Sequence, residues 1–254
     1  MHIPRIYVSQ SLAENSTIGL EPEAAHHIAK VLRMKVGRQL TLFNGEALNG
    51  IAVDGCYGEF SATLVSVDKK KVSVELGSFI ERQTESPLAI ELGACLIKND
   101  RMDWLLQKSV ELGVSTIFPL FSEFTDVKIA EDRLEKKMQH WQRIIINACE
   151  QSGRVFIPTL HAPQNIQSWI ASTNTEKKYV LHPYIAISSS DAVNSEAPIS
   201  AALLVGPEGG LAEHEVECAT NHNFTGLVLG KRILRAETAP IAALALLQHQ
   251  FGDF

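Results

Sequence analysis

The sequence is poor in cysteine, and its four cysteines lie far apart. Cys56, Cys95, Cys149 and Cys218 form no Cys-x-x-Cys pair and share no metal-ligand spacing with the histidines. Zinc sites and redox-active dithiols depend on such spacings, and small secreted domains depend on a dense set of cysteines. We therefore expect reduced thiols and no metal site.

Long hydrophobic runs are also missing. No apolar stretch approaches the roughly 20 residues that a transmembrane helix needs, and the N-terminal MHIPRIYVSQ lacks the apolar segment of a signal peptide. Hydrophobic residues make up 45% and charged residues 20% of the 254 residues, which is ordinary for a globular protein. We expect a cytoplasmic protein without a membrane segment, with one large domain or two smaller ones.

Positive charge is scarce overall and unevenly distributed. The net charge is −6, which at first argues against a nucleic-acid partner. Residues 1–72 nevertheless hold eight Lys and Arg against seven Asp and Glu, and a basic cluster is formed by Lys30, Arg33, Lys35 and Arg38. The cluster fits both a nucleic-acid contact and a solvated helix end, because short basic clusters are weak motifs.

The spacing of apolar residues changes near residue 87. Before it, a helix at 21–33, with Ile28 and Leu32 on its apolar face, and five short strands predict a small β-barrel. The polar segment 81–87 is expected to be the linker. After it, apolar runs alternate with amphipathic helices, which predicts a parallel α/β sheet.

Three loops follow apolar strands of the second part, namely Leu181–Pro183, Gly206–Gly210 and Gly230–Arg235. In parallel sheets, ligands bind beyond the carboxyl ends of the strands. No Lys-Ser/Thr pair follows the glycines, which makes a P-loop improbable, and the spacing does not match a dinucleotide-binding motif. Glycine lets the backbone approach a flat ring closely, and the carboxylate of Glu208 suits a cationic ligand. S-Adenosylmethionine has both a flat adenine ring and a positively charged sulfonium, and it has no phosphate.

Several motifs carry a resemblance to a known family: QKSVELGV, ACEQSGR, LLVGPEGGL and LGKRILRAETA, with IPRIYV and HHIAKVLRMKVG in the first part. Together they resemble the bacterial 16S ribosomal RNA uridine N3-methyltransferases of the SPOUT class, over nearly the whole chain. The resemblance implies a PUA-like RNA-binding β-barrel in residues 1–72. It also implies an α/β SPOUT methyltransferase domain in residues 73–254, with a parallel sheet and a C-terminal trefoil knot. The expected enzyme is a homodimer that uses S-adenosylmethionine and acts on 16S rRNA of the small ribosomal subunit.

The strand-end loops and the resemblance together assign candidate residues. N3 of uridine must lose a proton, and negative charge then spreads onto O2 and O4, so an arginine and a carboxylate are sought. The catalytic candidates are Arg154, Arg235 and Glu237. The cofactor-binding candidates are Leu181, His182, Pro183, Leu204, Val205, Gly206, Pro207, Glu208, Gly209, Gly210, Leu229, Gly230, Ile233, Leu234 and Thr238. The RNA-binding candidates are Arg5, His27, Lys30, Arg33, Lys35, Asn147 and Gln151.

Structural alternatives accompany these assignments. Glu150 and Arg154 have the i,i+4 spacing of a helix-surface pair, Thr238 has the position of an N-cap, and Glu111 is either a surface acid or a residue that orders neighbouring loops. Ala212 stands where such chains commonly place Ser at a helix start. Two other functions stay open: methylation of another RNA atom, such as a ribose 2′-OH or a tRNA base, and a non-catalytic RNA-binding factor.

Overall fold

The computed structural model describes residues 3–45, 57–68, 71–182 and 198–254. The chain forms two compact units. The N-terminal unit comprises the residues up to Glu85 together with Cys149–Ile157, and the C-terminal unit comprises Ser86–Ala148 and Pro158–Phe254. Across the described ranges, no helix is long and apolar enough to cross a membrane, and no group of three or more His, Cys, Asp or Glu is placed to hold a metal.

Among the described residues, five strands build the sheet of the N-terminal unit: β1 (Arg5–Tyr7), β2 (Thr17–Gly19), β3 (Gln39–Phe43), β4 (Gly58–Val67) and β5 (Val72–Glu81). Their spatial order is β1-β3-β4-β5-β2, with β1 and β3 parallel and the other neighbours antiparallel. Four of the five predicted strands are confirmed as β1, β3, β4 and β5. The fifth, at 48–55, lies outside the described residues, and β2 was not predicted. Closure of this sheet into a barrel stays a prediction.

The predicted helix at 21–33 is shorter than expected. It consists of α1 (Pro22–His26), which has Pro22 in its first turn as expected, and a π-helical turn at His27–Val31. Arg33 then adopts a positive φ of 50°, which ends the helical path. Ile28 is fully buried, as predicted, but Leu32 is 38% exposed because the π-helical turn and Arg33 rotate it away from the core.

The N-terminal unit extends past residue 72, where the sequence analysis places the division between the domains. β5 pairs with β4 from Val72 to Glu81, so these residues belong to the first sheet. The unit continues to Glu85, inside the polar segment expected to be the linker, and it also takes up Cys149–Ile157 from much later in the chain. A segment recruited from so far away leaves no local sequence signal.

In the part of the C-terminal unit that the structure describes, seven strands form the sheet: β6 (Ala89–Cys95), β7 (Val114–Phe121), β8 (Thr159–Leu160), β9 (Gln164–Asn165), β10 (Lys177–Leu181), β11 (Ser200–Val205) and β12 (Thr225–Leu227). Their order is β12-β10-β11-β6-β7-β8, and β9 also pairs with β7. Every pairing is parallel. The predicted parallel α/β sheet is thus confirmed, and the trefoil knot stays a prediction.

Outside the undescribed residues 183–197, five helices accompany this sheet: α2 (Asn99–Glu111), α3 (Glu131–Ser152), α4 (Ile166–Ser172), α5 (Glu213–Asn221) and α6 (Thr238–Phe251). Asp100 is of a residue type that favours the N-cap, and the sequence predicts this position for it before α2. Lys98 holds the N-cap position instead, and Asp100 lies in the first turn. Gly113 and Gly153, with φ of 81° and 87°, follow α2 and α3 as predicted.

Apolar stripes determine which helix faces are buried. On α3 the sequence spacing predicts one apolar stripe, formed by Leu134, Met138, Trp141, Ile145 and Ala148. Three of these residues, Trp141, Ile145 and Ala148, are buried almost completely. On the sheet, Trp169 of α4 packs so closely on β6 that a Cβ at Gly93 would lie 2.5 Å from its ring. Gly93 therefore permits this contact, because any larger residue would displace the tryptophan.

Candidate active site

Three strands of the C-terminal unit end in register. Leu181, the last residue of β10, pairs with Val205 at the end of β11 on one side and with Leu227 at the end of β12 on the other. Because the strands are parallel, the loops that follow them begin side by side. This arrangement confirms that the three loops singled out from the sequence meet at one edge of the sheet.

A cavity of about 180 Å³ lies beyond these strand ends. Its walls are mainly aliphatic, with Glu208, Arg232 and His182 as the polar side chains. The lining residues are Leu181, His182, Val205, Gly206, Pro207, Glu208, Leu227, Val228, Leu229, Gly230, Arg232, Ile233, Leu234, Ala236 and Ala239. Small-molecule sites have this composition, in which apolar walls bury the ligand and a few polar groups orient it.

Ten of the fifteen cofactor candidates line this cavity, including His182 as part of its wall. Leu204 is instead buried within β11, Gly209, Gly210 and Thr238 are not among the lining residues, and Pro183 lies outside the described part of the chain. Five lining residues were not predicted: Leu227, Val228, Arg232, Ala236 and Ala239. The two alanines lie on either side of Glu237 and Thr238 at the start of α6, and their small side chains leave space in the cavity.

The glycines of the Gly206–Gly210 loop have different roles. A Cβ at Gly206, which lines the cavity, would lie 3.0 Å from Leu211 Cγ. A Cβ at Gly209 would lie 2.9 Å from Cβ of Phe124 instead. The missing side chain of Gly209 therefore makes room for Phe124, and its contact with a ligand stays a prediction. Gly230, also in the wall, has a φ of 91°, which disfavours any other residue.

Arg101 connects two of the cavity loops. Its NH1 lies 3.1 Å from Oε1 of Glu208, and its Nε lies 3.8 Å from Oε1 of Glu237. Glu208 belongs to the loop after β11, Glu237 immediately precedes α6, and Arg101 lies in the first turn of α2, which follows β6. Arg101 was not singled out from the sequence. Its position in the first helical turn after a parallel strand would have indicated it, because that turn lies at the edge of the sheet where ligands bind.

Glu237 has one carboxylate oxygen without a hydrogen bond. Its side chain is 16% exposed, and Oε2 is buried and has no hydrogen-bond partner among the described residues. Buried acceptors are normally satisfied, so an orphaned oxygen beside a cavity marks a place where a donor is missing. Glu237 also holds the N-cap position of α6, which the sequence analysis assigned to Thr238, and its side chain makes no capping bond. Pro240 lies in the first turn of α6, as expected.

Arg235, another catalytic candidate, is exposed. Its carbonyl oxygen accepts hydrogen bonds from the N–H groups of Thr238 and Ala239, which fixes the backbone immediately before α6. The guanidinium can therefore move while its backbone is held. This combination suits a side chain that contacts a substrate entering from solvent.

A buried carboxylate holds the loops after β7 and β11 together. Glu215, only 2% exposed, accepts hydrogen bonds from the N–H of Glu123 and the N–H of Ala212. Ala212 is the N-cap of α5 and has no hydroxyl to offer. Glu215 satisfies the N–H of Ala212 but leaves the helix without a side-chain cap at that position.

Arg154 lies in the N-terminal unit and is 4% exposed. Its Nε and NH2 donate to Oε2 of Glu85 at 3.0 and 2.5 Å. Glu150 accepts a hydrogen bond from the N–H of Tyr7, and burial raises the pKa of its carboxyl. Neither residue is the exposed member of a helix-surface pair, and the catalytic role of Arg154 stays a prediction.

Arg5, expected to contact RNA, is engaged inside the N-terminal unit. Its Nε donates to Glu59, and its other nitrogens donate to the carbonyl oxygens of Cys149, Glu150 and Arg154. These carbonyls lie at the C-terminal end of α3 and just beyond it, where helical acceptors lack partners. Arg5 therefore caps α3, and the bonds of its guanidinium argue against an RNA contact.

The other RNA-binding candidates are more accessible. Lys30, Arg33 and Lys35 are exposed, as are Arg38 beside them and Asn147 and Gln151 on α3. His27 is partly buried, and burial, with the nearby His26, lowers the pKa of its imidazole. His27 is therefore neutral near pH 7 and adds no charge to the basic cluster.

Glu111, at the end of α2, forms an i,i+3 pair with Lys108 at 2.7 Å, as expected of a surface acid.

Two family models match the chain. The model of an RNA methyltransferase domain matches residues 84–248, and the model of an RNA methyltransferase PUA domain matches residues 20–77. Together they confirm the predicted pairing of a methyltransferase domain with a PUA-type domain. They also follow the two sheets, since the PUA-domain match ends within β5 and the methyltransferase-domain match begins just before β6.

Curated relatives match over nearly their whole length. Ribosomal RNA small subunit methyltransferase E of Buchnera aphidicola (strain Sg) is 38% identical over 254 residues, which cover 99% of this chain and 98% of the relative. The protein of the same name from Bacillus subtilis is 32% identical over 248 residues, covering 95% of this chain and 93% of the relative.

Solved structures confirm the fold. A Legionella pneumophila protein described as a methyltransferase, solved with its cofactor S-adenosylmethionine, has a TM-score of 0.90 and 40% identity, with both chains covered completely. Ribosomal RNA small subunit methyltransferase E of Neisseria gonorrhoeae, bound to S-adenosylmethionine, has a TM-score of 0.86 and 34% identity over both full chains. The chain therefore belongs to the ribosomal RNA small subunit methyltransferase E family, as the sequence motifs predicted.

Proposed function

We propose that this protein transfers a methyl group from S-adenosylmethionine to N3 of a specific uridine in 16S rRNA of the small ribosomal subunit. The observation that carries the proposal is the cavity at the ends of β10, β11 and β12, in a chain whose full length matches this methyltransferase family. Two solved structures of such proteins are described with S-adenosylmethionine bound. The motif resemblance adds the choice of uridine N3.

The cavity residues fit this cofactor. Aliphatic side chains suit the adenine ring, and the backbone of Gly206 and Gly230, residues without a side chain of their own, can offer hydrogen bonds to the ring edge. The Gly206–Gly210 loop holds no Lys for a phosphate, which agrees with a ligand that has none. Glu208 places negative charge near a cationic ligand, but Arg101 at 3.1 Å offsets part of that charge.

The reaction assigns roles to residues of the same unit. S-Adenosylmethionine, when bound, supplies a methyl group on a positively charged sulfur. As N3 of uridine forms its bond to this methyl, the N3 proton must leave, and Glu237 is the carboxylate that we assign to accept it, directly or through water. Arg235, exposed beside Glu237, would stabilise the negative charge on the uracil oxygens.

The basic cluster of the N-terminal unit would bind the rRNA backbone. Lys30, Arg33, Lys35 and Arg38 are exposed and carry no acidic residue between them. Phosphate contacts of this kind position an RNA without specifying its sequence. Selection of the uridine would then depend on the C-terminal unit.

A homodimer is part of the proposal. α6 buries Ala243, Leu244 and Leu247 in its own unit, while Leu246 is 50% exposed. An exposed leucine on a largely apolar helix favours a protein contact. Sedimentation should show a dimer at micromolar concentration for the wild type and a weaker dimer for Leu246→Glu. A monomeric wild type would refute this part of the proposal.

Cofactor binding is tested by filling the cavity. Ala239 lines it, so Ala239→Leu should raise the Kd for S-adenosylmethionine at least about tenfold in calorimetry. Ala242→Leu is the matched control, because Ala242 lies on the same helix but not in the wall. An unchanged Kd in the Ala239 variant would show that the cofactor binds elsewhere.

The site of methylation is tested by mass spectrometry of nucleosides from rRNA treated with the protein. Cleavage of the glycosidic bond separates a methylated uracil base from a methylated ribose. A methyl on N3 of one uridine supports the proposal. A methyl on a ribose or on tRNA would reassign the substrate, and cofactor binding without any methylation would indicate a non-catalytic RNA-binding factor.

A further inference from the structure

Phe124 is an exposed aromatic residue at the ligand edge of the C-terminal unit. Its side chain is 46% exposed, although a phenylalanine is normally largely buried. It follows β7, whose carboxyl end lies at the same edge of the sheet as that of β11. A single exposed apolar residue needs no explanation by itself, so its surroundings decide what it means.

The first relevant contact is with the cavity loop. A Cβ at Gly209 would lie 2.9 Å from Cβ and 3.6 Å from Cγ of Phe124. The Gly206–Gly210 loop thus packs against the base of the Phe124 side chain, two residues from Pro207 in the cavity wall. The aromatic ring is therefore placed beside the loop that forms the candidate cofactor site.

The second observation is that the Phe124 loop is tightly held. The N–H of Ser122 donates to Thr125 Oγ1 at 3.1 Å, and the N–H of Thr125 donates to the Ser122 carbonyl at 3.1 Å. The two hydroxyls are also 2.8 Å apart. Glu215 accepts the N–H of Glu123, which attaches this loop to the start of α5. The ring is therefore exposed on a backbone that hydrogen bonds already fix. Because the backbone is already ordered, a contact with the ring costs little conformational entropy.

The third observation is the local charge. Glu123 and Asp126, on either side of Phe124, are exposed carboxylates. They repel the phosphates of an approaching RNA, so the part of RNA that can contact Phe124 is a base and not the backbone. An exposed phenyl ring offers a flat surface on which an unstacked base can lie.

We propose that Phe124 is a stacking platform for an unpaired base of the RNA substrate, at the target uridine or beside it. The proposal rests on the proposed RNA methyltransferase function and extends it to substrate recognition. Stacking on Phe124 would hold the RNA next to the Gly206–Gly210 loop. It would supply a contact that depends on an aromatic ring and not on charge.

The test compares substitutions that separate stacking from packing. Phe124→Leu keeps the Cβ and Cγ atoms near Gly209 but removes the flat ring, whereas Phe124→Trp keeps a ring. Single-turnover methylation of unmethylated small ribosomal subunits should lose roughly 5- to 150-fold in kcat/KM with leucine, the range of one lost base stack. Tryptophan should restore most of it. Phe254→Leu is the matched control, because Phe254 is 59% exposed and lies at the C-terminus.

Two further measurements make the result decisive. The loss in Phe124→Leu should be the same at low and high salt, since stacking releases no counterions, and the Kd for S-adenosylmethionine should not change. A kcat/KM equal to the wild type, or a loss that tracks a weaker cofactor affinity, would overturn the proposal. A wild type without methylation activity would instead refute the proposed function.

Binding to RNA fragments shows whether the target uridine or a neighbouring base stacks on Phe124. Affinities are compared for fragments with an abasic site at the target uridine or at its neighbours. The fragment in which Phe124→Leu no longer weakens binding identifies the stacked base. If the penalty persists for every abasic fragment, Phe124 does not stack on a base and the proposal fails.

Discussion

Single side chains hold the candidate site together across long stretches of sequence. Arg101 and Glu215 each connect loops that lie far apart in the sequence. Arg101 contacts Glu208 and Glu237. Glu215 accepts hydrogen bonds from two backbone N–H groups. These contacts hold the loops in place without a helix or strand of their own. Substitutions at such residues should therefore affect ligand binding more than folding.

Arg101 provides the first test at this scale. Arg101→Met removes the cation that lies 3.1 Å from Glu208 and 3.8 Å from Glu237, leaving the two loops without their shared contact. We expect the Kd for S-adenosylmethionine to rise roughly twofold to tenfold, the range for one or two partly exposed ion pairs. Calorimetry measures this, with Arg133→Met as control, because Arg133 is an exposed arginine on α3. Equal affinities of wild type and Arg101→Met would mean that the loops hold their positions unaided.

Arg154 offers the second test, between two hypotheses for one residue. Its buried contact with Glu85 predicts that Arg154→Met lowers the free energy of unfolding by roughly 1.5–3 kcal/mol, the value of hydrogen bonds to a charged group. The catalytic hypothesis predicts instead a lower single-turnover rate in a variant of normal stability. Urea denaturation and methylation kinetics on Arg154→Met and Glu85→Gln separate them. If both variants lose stability alike, Arg154 has a structural role.

The residues of the candidate site were predictable where a glycine or an apolar run marks the end of a strand. Leu181, Val205 and Gly230 could be located because glycine and apolar runs mark strand ends, and parallel strands end at a common edge. Arg101 and Phe124 follow β6 and β7, where no glycine motif draws attention to the loops. Their roles depend on distances between elements that the sequence does not contain.

At the scale of elements, length and periodicity decided what could be predicted. α3 spans 22 residues, and its apolar spacing predicted the buried face correctly. β8 and β9 have two residues each, too few to show alternation. The π-helical turn at His27–Val31 has the same sequence pattern as an α-helix, and it is the hydrogen bond from the Leu32 N–H to the His27 carbonyl, at 2.9 Å, that distinguishes it.

The C-terminal end of α3 yields a prediction on pH. Burial raises the pKa of Glu150, against the opposing effects of the Tyr7 N–H and of Arg5. A carboxyl whose pKa is higher in the folded than in the unfolded protein favours the fold while protonated. The free energy of unfolding therefore falls as the pH rises from the pKa of Glu150 in the unfolded protein through its pKa in the folded protein.

Glu150→Gln should remove this loss, because the amide oxygen still accepts the Tyr7 N–H but carries no charge. We expect the variant to gain free energy of unfolding relative to the wild type at pH 8 and to converge with it near pH 4. Urea denaturation across this range measures the difference, with the exposed Glu217→Gln as control. A variant that is less stable by the same amount at every pH would show that ionisation of Glu150 does not matter.

At the scale of the whole molecule, charge is divided between the parts of the chain. Residues 73–254 hold fifteen Lys and Arg against twenty-two Asp and Glu, whereas residues 1–72 have a slight positive excess. An acidic chain attracts RNA weakly at long range, so local cation clusters must provide the phosphate contacts. RNA binding and the rate of methyl transfer should then depend differently on the salt concentration.

The exposed cations of the N-terminal unit should determine the salt dependence of RNA binding. Arg33→Asn with Lys35→Gln removes two charges, and asparagine tolerates the positive φ at position 33. The slope of log affinity against log salt should fall by about 0.7 for each lost phosphate contact on single-stranded RNA, while the Kd for S-adenosylmethionine stays unchanged. Filter binding at several salt concentrations measures the slope, and Arg133→Gln with Lys136→Gln on α3 is a control of equal charge. If the control pair flattens the slope and the N-terminal pair does not, rRNA docks on α3 and not on the basic cluster.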